Sequence, residues 1–150
     1  MTRIKRLTLL ALPLTVAMFA APPAVAAPPK ATASSLAHAA LRKAQAAPNL
    51  PSYVTNSVGN ASIIAVGVIG KKDGVYNVPG KYDERLQPDQ WSHKAFGWNT
   101  TGGWYTGPGY CTAQQRSDDR GRTWQDQPDL GPGVHLIGPT TIYAIYAYPC

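Results

Sequence analysis

The run TIYAIYAYPC, residues 141–150, is the segment whose reading decides the fold. Side chains of a strand alternate between two faces. Ile142, Ala144, Tyr146 and Tyr148 therefore fall on one side, with Tyr143, Ile145 and Ala147 on the other. Both faces are partly apolar, and the residues are aromatic, small or β-branched. Just before it, residues 134–137 and Gly138-Pro139-Thr140 read as a shorter strand and a turn, so the two runs form an expected hairpin.

Three more hairpins are predicted on the same grounds. SIIAVGVI at 62–69 and residues 75–78 flank Lys71-Lys72-Asp73-Gly74, whose Asp-Gly pair suits positive φ. Residues 94–98 and 104–106 flank the polar, glycine-rich 99–103, and residues 110–116 and 122–125 flank 117–121. Strands recurring at this spacing, with Gly, Pro, Asp or Asn between them, are the pattern of an all-β chain. The expected architecture is a small antiparallel β-sandwich or barrel built from successive hairpins, over residues 53–150. Its core is expected from Ile63, Ile64, Val66, Val68, Val75, Phe96, Val134, Leu136, Ile142 and Ile145.

The segment ahead of that domain has a different texture. Residues 27–52, APPKATASSLAHAALRKAQAAPNLPS, are rich in alanine and proline and lack aromatics. A helix beginning at Ser34-Ser35 is conceivable there, but a lone helix of that length is marginal in water. The flanking prolines favour a flexible linker or pro-segment. Earlier still, Arg3, Lys5 and Arg6 precede an apolar run over 7–21 and the small-residue triplet Ala24-Val25-Ala26. That order is the pattern of a secretory signal peptide, residues 1–26. The run is short for a span of about 20 residues, and no cysteine lies nearby to carry a lipid. The expectation is a secreted, extracellular protein with no stable membrane anchor, from a bacterial secretor.

Charge and cysteine content narrow the classes further. The chain has 14 basic and 8 acidic residues; removing the three signal cations leaves 11 against 8, or +3. Residues 73–150 hold six basic and eight acidic residues, net −2, so the whole-chain pI of 9.5 overstates the basicity of the folded part. Without clustered Lys and Arg on one element, no nucleic-acid partner is expected. Cys111 and Cys150 are the two cysteines, and in an oxidising compartment they read as one disulfide. Closing a loop of about 40 residues is worth roughly 4 kcal/mol in the chain-entropy account. A monomer is expected.

No hydrolase, metalloprotease, phosphate-loop or dinucleotide motif is present in the sequence. One acid–base set is conceivable: Glu84, His93 and His135 with an arginine, able to cleave a phosphodiester as a small secreted hydrolase or ribonuclease would. No motif places these residues together. Asp118-Asp119 is flanked by Arg120 and Arg122, and adjacent positive charge opposes a calcium site. No metal or cofactor is expected.

Aromatics carry the favoured reading. AFGWNTTGGWYTGPGYC, residues 95–111, holds Phe96, Trp98, Trp104, Tyr105 and Tyr110, with Trp91 just upstream. Strand alternation puts Phe96 and Trp98 on one face and Trp104 and Tyr105 on opposite faces. Exposed Trp and Tyr rings stack on the C–H faces of sugars, and Asn99 adds hydrogen bonds. Trp98, Asn99, Trp104, Tyr105 and Tyr110 are thus candidate glycan-binding residues of a non-catalytic protein. In architecture this resembles carbohydrate-binding modules, a likeness of fold alone. The competing account places Trp98, Trp104 and Tyr110 in the core. A second binding class is a protein partner, as for a hydrolase inhibitor or toxin, since Trp, Tyr and Arg also anchor protein interfaces.

Overall fold

The computed structural model describes residues 31–43, 50–71 and 73–150, so the expected signal peptide lies outside the described residues. Helix α1 spans Ala33–Lys43 and helix α2 spans Ser92–Phe96. The strands are β1 Ser57–Asn60, β2 Val66–Ile69, β3 Glu84–Leu86, β4 Gly103–Thr106, β5 Tyr110–Ser117, β6 Gln125–Leu130, β7 Gly133–Leu136 and β8 Ile142–Pro149. They form two four-stranded sheets, ordered β1-β8-β5-β6 and β3-β2-β4-β7. The chain is therefore mostly β, and neither sheet closes into a barrel.

β8 explains the arrangement. It pairs along its whole length with β5, antiparallel, and on its other edge with β1, parallel. Its two apolar faces then have two jobs. Ile145 and Ala147, with Val58 of β1, face Val66, Val68, Leu86 and Trp104 of the second sheet, and this is the main core. Tyr143 lies against Trp104, ring centroids 5.3 Å apart. On the other face Ala144 joins Ala113 of β5, and the two small residues let α1 lay Ala37 and Leu41 onto the sheet. The molecule is layered as helix, sheet and sheet.

Packing of α1 corrects the expectation of an unpacked linker over this stretch. Ala37 and Leu41 are fully buried. Polar pins complete the seat: Ser34 Oγ donates to Asp129 at 2.6 Å, and His38 Nε2 lies 2.7 Å from the same carboxylate. The Tyr148 hydroxyl also donates to Asp129, and Arg42 reaches Asp126 at 3.0 Å. The first turn is capped by Thr32, whose hydroxyl accepts the Ser35 N–H. An isolated helix of this length would be marginal; the alanine face of the sheet is what stabilises it.

Of the four expected hairpins, one forms. β5 and β6 pair as expected, with a register shift between Thr112 and Gln114. Asp119 closes their turn by accepting from the Thr123 N–H and hydroxyl and from Ser117, which holds its carboxyl down at about 2. β2 pairs with β3 rather than with residues 75–78, because the Asp83 carboxylate takes the Gly70 N–H at 2.7 Å and the Asn77 N–H at 3.3 Å and folds 70–83 into one loop. Residues 92–96 form α2 and not a strand; Gly97, at φ 68°, ends it in the left-handed conformation glycine favours. β7 and β8 lie in different sheets, so Gly138-Pro139-Thr140 is a crossing between layers and not a hairpin turn. The parallel β1–β8 pair also departs from a purely antiparallel design.

The core differs accordingly. Val66, Val68, Ile142 and Ile145 are buried, and Ile64 and Phe96 pack against the core at its margin. Ile63 and Val75 are 82% and 74% exposed, and Leu136 and Val134 are exposed too. Ile63 and Val75 sit in loops, and Val134 and Leu136 alternate outward from edge strand β7.

Cys111 and Cys150 are bonded, with Cα atoms 5.1 Å apart, tying the neighbouring ends of β5 and β8.

Candidate functional site

Trp98 leads to the site. It follows the glycine that ends α2, and its ring packs on Phe96 at a centroid distance of 4.8 Å. The benzo part of the ring lies over Gly70, where a Cβ would come within 3.2 Å of it. Thus Trp98 is half-buried and held by both contacts, though not on the strand face that sequence alternation predicts for it and Phe96.

The loop that follows is pinned as firmly. The Thr55 N–H donates to the Asn99 carbonyl at 2.8 Å, the Thr55 and Thr100 hydroxyls lie 2.6 Å apart, and the Gly102 N–H donates to Ile69 O at 2.6 Å. With its backbone fixed, the Asn99 side chain is exposed and makes no hydrogen bond to the described residues.

Trp98 and Asn99 line one open groove of about 900 Å³. Its other wall is the 70–83 loop with the start of β3, contributing Lys71, Asp73, Val75, Asn77, Asp83 and Glu84. Asp83 is occupied by backbone N–H groups, and Asp73 accepts the Val75 N–H at 3.0 Å. Glu84 is exposed and has no side-chain partner among the described residues.

A buried polar chain runs through Ser57 and Thr101, chain neighbours of the lining residues Asn56, Thr100 and Gly102. Ser57 Oγ and His93 Nδ1 share a 2.7 Å hydrogen bond, Ser57 contacts Ser92 at 3.1 Å, and Ser92 contacts Thr101 at 2.6 Å. Burial, helped by the Lys94 charge, pushes the His93 imidazole below its usual pKa. A neutral ring suits this dry setting, where it ties α2 to β1.

The remaining candidates separate. Trp104 is 1% exposed in the main core, so its ring is closed to any ligand; this is the core account of that residue. Tyr105 points the other way, as alternation predicts, onto the outer face of the second sheet. There Tyr82 lies over Gly67, where a Cβ would sit 2.4 Å from the ring, and the Tyr82 and Tyr105 rings are 5.8 Å apart. Tyr105 and Tyr110 line a second hollow of about 310 Å³ with Arg85 and Ile64. The five candidate residues therefore occupy a groove, a core and a hollow.

The hydrolytic set is not assembled either. Register aligns Glu84, Val68, Trp104 and His135 across four strands, so Glu84 and His135 stand about three strand spacings, or roughly 14 Å, apart. The His135 ring packs on Trp104 at 5.4 Å and its Nε2 meets Gly131 O at 2.9 Å. Burial lowers its pKa against the opposing effect of that bond. His93 lies in the buried chain described above.

Of the far wall, Glu84 was named from sequence only as part of a hydrolytic set, and the loop around Asn77 was missed. The signal was the length of the segment between β2 and β3, since long structureless loops in small domains are usually functional. No protein-family model, curated protein or solved structure matches the chain, and the groove's own chemistry is the ground for its function.

Proposed function

We propose that this is a secreted, non-catalytic binding protein that holds an extracellular glycan in the groove beside Trp98. The observation that carries the reading is the setting of that ring: propped by Phe96 and Gly70, it forms a fixed wall of an open groove. A rigid aromatic face loses little entropy on binding and suits the apolar face of a pyranose. Asn99 and Glu84, both without protein partners for their side chains among the described residues, supply hydrogen bonds to hydroxyls at the rim. The disulfide, and the lack of a helix long and apolar enough to cross a membrane among the described residues, are compatible with secretion. Trp104 has no part in this site.

Titration of the oxidised protein with chitin, cellulose and peptidoglycan fragments, followed by tryptophan fluorescence, tests the proposal. Saturable quenching is expected, lost in Trp98→Ala and retained in Tyr105→Ala. A folded protein that responds to no glycan would refute it. A protein partner is the second reading, favoured by Tyr105, Val134 and Leu136 on the second sheet, with Tyr110 of β5 beside Tyr105 in the smaller hollow. In that case Leu136→Asp, and not Trp98→Ala, would abolish partner capture.

A further inference from the structure

The charge of the groove goes further than its shape. Its described lining residues include three carboxylates, Asp73, Asp83 and Glu84, against one cation, Lys71. Two of the carboxylates are engaged by backbone N–H groups, which share their hydrogen-bonding capacity but leave their charge in place. Glu84 has neither hydrogen bond nor ion pair among the described residues. It sits where β3 borders the groove, opposite Val68, two residues before Gly70 and its overlying Trp98 ring.

An unpaired carboxylate beside an aromatic wall has a definite complement. A protonated amine forms a charge-assisted hydrogen bond to the carboxylate and gains from the negative face of an indole within reach. A neutral sugar would satisfy the ring and leave the charge facing only hydroxyls. A uronic acid or a phosphorylated glycan would meet repulsion from all three carboxylates.

We propose that the groove takes an amine-bearing glycan, a chain of hexosamine units whose 2-amino groups are free and protonated, with Trp98 under a sugar face and Glu84 on an ammonium group. This rests on the glycan reading above and adds the charge class of the ligand.

The experiment compares four soluble probes on the full, oxidised protein in mildly acidic low-salt buffer: a glucosamine oligomer, its N-acetylated counterpart, a cellulose oligomer of equal length, and an oligolysine. The expected result is that the free-amine oligomer binds about tenfold more tightly than the acetylated one, a difference of about 1.4 kcal/mol. Glu84→Gln should erase that preference by weakening the free-amine oligomer well beyond any loss it causes for the acetylated one. Salt should erase it too, since screening shortens from about 30 Å at 0.01 M to about 3 Å at 1 M. Because Glu84 is exposed and unpaired, the variant keeps the fold, which circular dichroism checks.

Equal affinity for free-amine and acetylated oligomers would overturn the charge assignment and leave the glycan reading standing. Oligolysine binding as tightly as the amino-glycan, with the same dependence on Glu84, would overturn it in favour of a basic peptide. Binding of no glycan at all would overturn this inference and the glycan reading together.

Discussion

Truncating Leu41 to alanine tests whether α1 is a structural layer. The side chain is fully buried between Ala37 and the sheet residues Ala113 and Ala144. Leu→Ala changes in packed sites cost about 2–5 kcal/mol, the upper part where surroundings fail to collapse. Here the floor is the β5–β8 pair, fixed by eight aligned residue pairs, and its alanines have no longer side chain to swing into a void. About 3 kcal/mol is the expected loss. Native-state hydrogen exchange on residues 34–43 reads it directly, because α1 amides exchange through whichever opening is cheapest, local or global. At 1.36 kcal/mol per factor of ten, protection should fall about 100-fold in Leu41→Ala. Arg42→Ala is the control: its contact with Asp126 is an exposed ion pair, worth less than about 1 kcal/mol, so protection should change less than about fivefold. If α1 amides are unprotected in the wild type, or if the two variants behave alike, the docked helix is refuted and residues 33–43 are the linker their composition suggests.

Acid should loosen the same seat. Burial pulls the Asp129 carboxyl up, but bonds from Ser34, Tyr148 and His38 outweigh it and leave it low, and Gln115 chiefly lowers Asp126. A depressed folded value gives stability that is present above the unfolded value of about 3.9 and lost as pH falls through the folded one. Protection of α1 should therefore decline below about pH 4, and Asp129→Asn should flatten that decline. Gly67→Ala should destabilise by driving a methyl into the Tyr82 ring, and adding Tyr82→Ala should recover most of the loss, as measured by urea midpoints in a double-mutant cycle. Trp104→Ala should cost about 3–5 kcal/mol, the usual range for a large buried aromatic. Trp98→Ala should cost clearly less in the same denaturation assay, its larger effect falling on binding.

What could be read from the sequence was local chemistry, and what was lost was long-range pairing. The two apolar faces of residues 142–148 are a property of that segment alone, and they do bury against two layers. The Cys111–Cys150 bond followed from there being two cysteines. By contrast, Gly138-Pro139-Thr140 has the local features of a turn whether the chain doubles back or crosses between sheets, and only pairing with β4 and β1 decides. The seat of α1 depends on alanines more than 60 residues downstream of it. Residues 92–96 are one turn long, too short for periodicity to separate helix from strand. In the site, Trp98 and Asn99 were legible as an aromatic–amide pair. Alternation placed Trp104 and Tyr105 on opposite faces without saying which was inner, and the Asp83 contacts that shape the far wall join residues six and thirteen apart.

The parallel β1–β8 pair has a consequence for the birth of the molecule. Ser57 meets Ile142, and Asn56 meets Thr141 across 85 positions. A chain synthesised from its N-terminus makes α1 and β1 early, yet both must wait for β8, the strand on which they pair or pack. The β5–β6 hairpin can form meanwhile, but it has no helix above it and no neighbour on its other edge. Long-range closure of this kind is slow. Until β8 is available, β1 lacks its partner and α1 the strand it packs on, and a copy stopped short of β8 presents unpaired edges that proteases and chaperones act on.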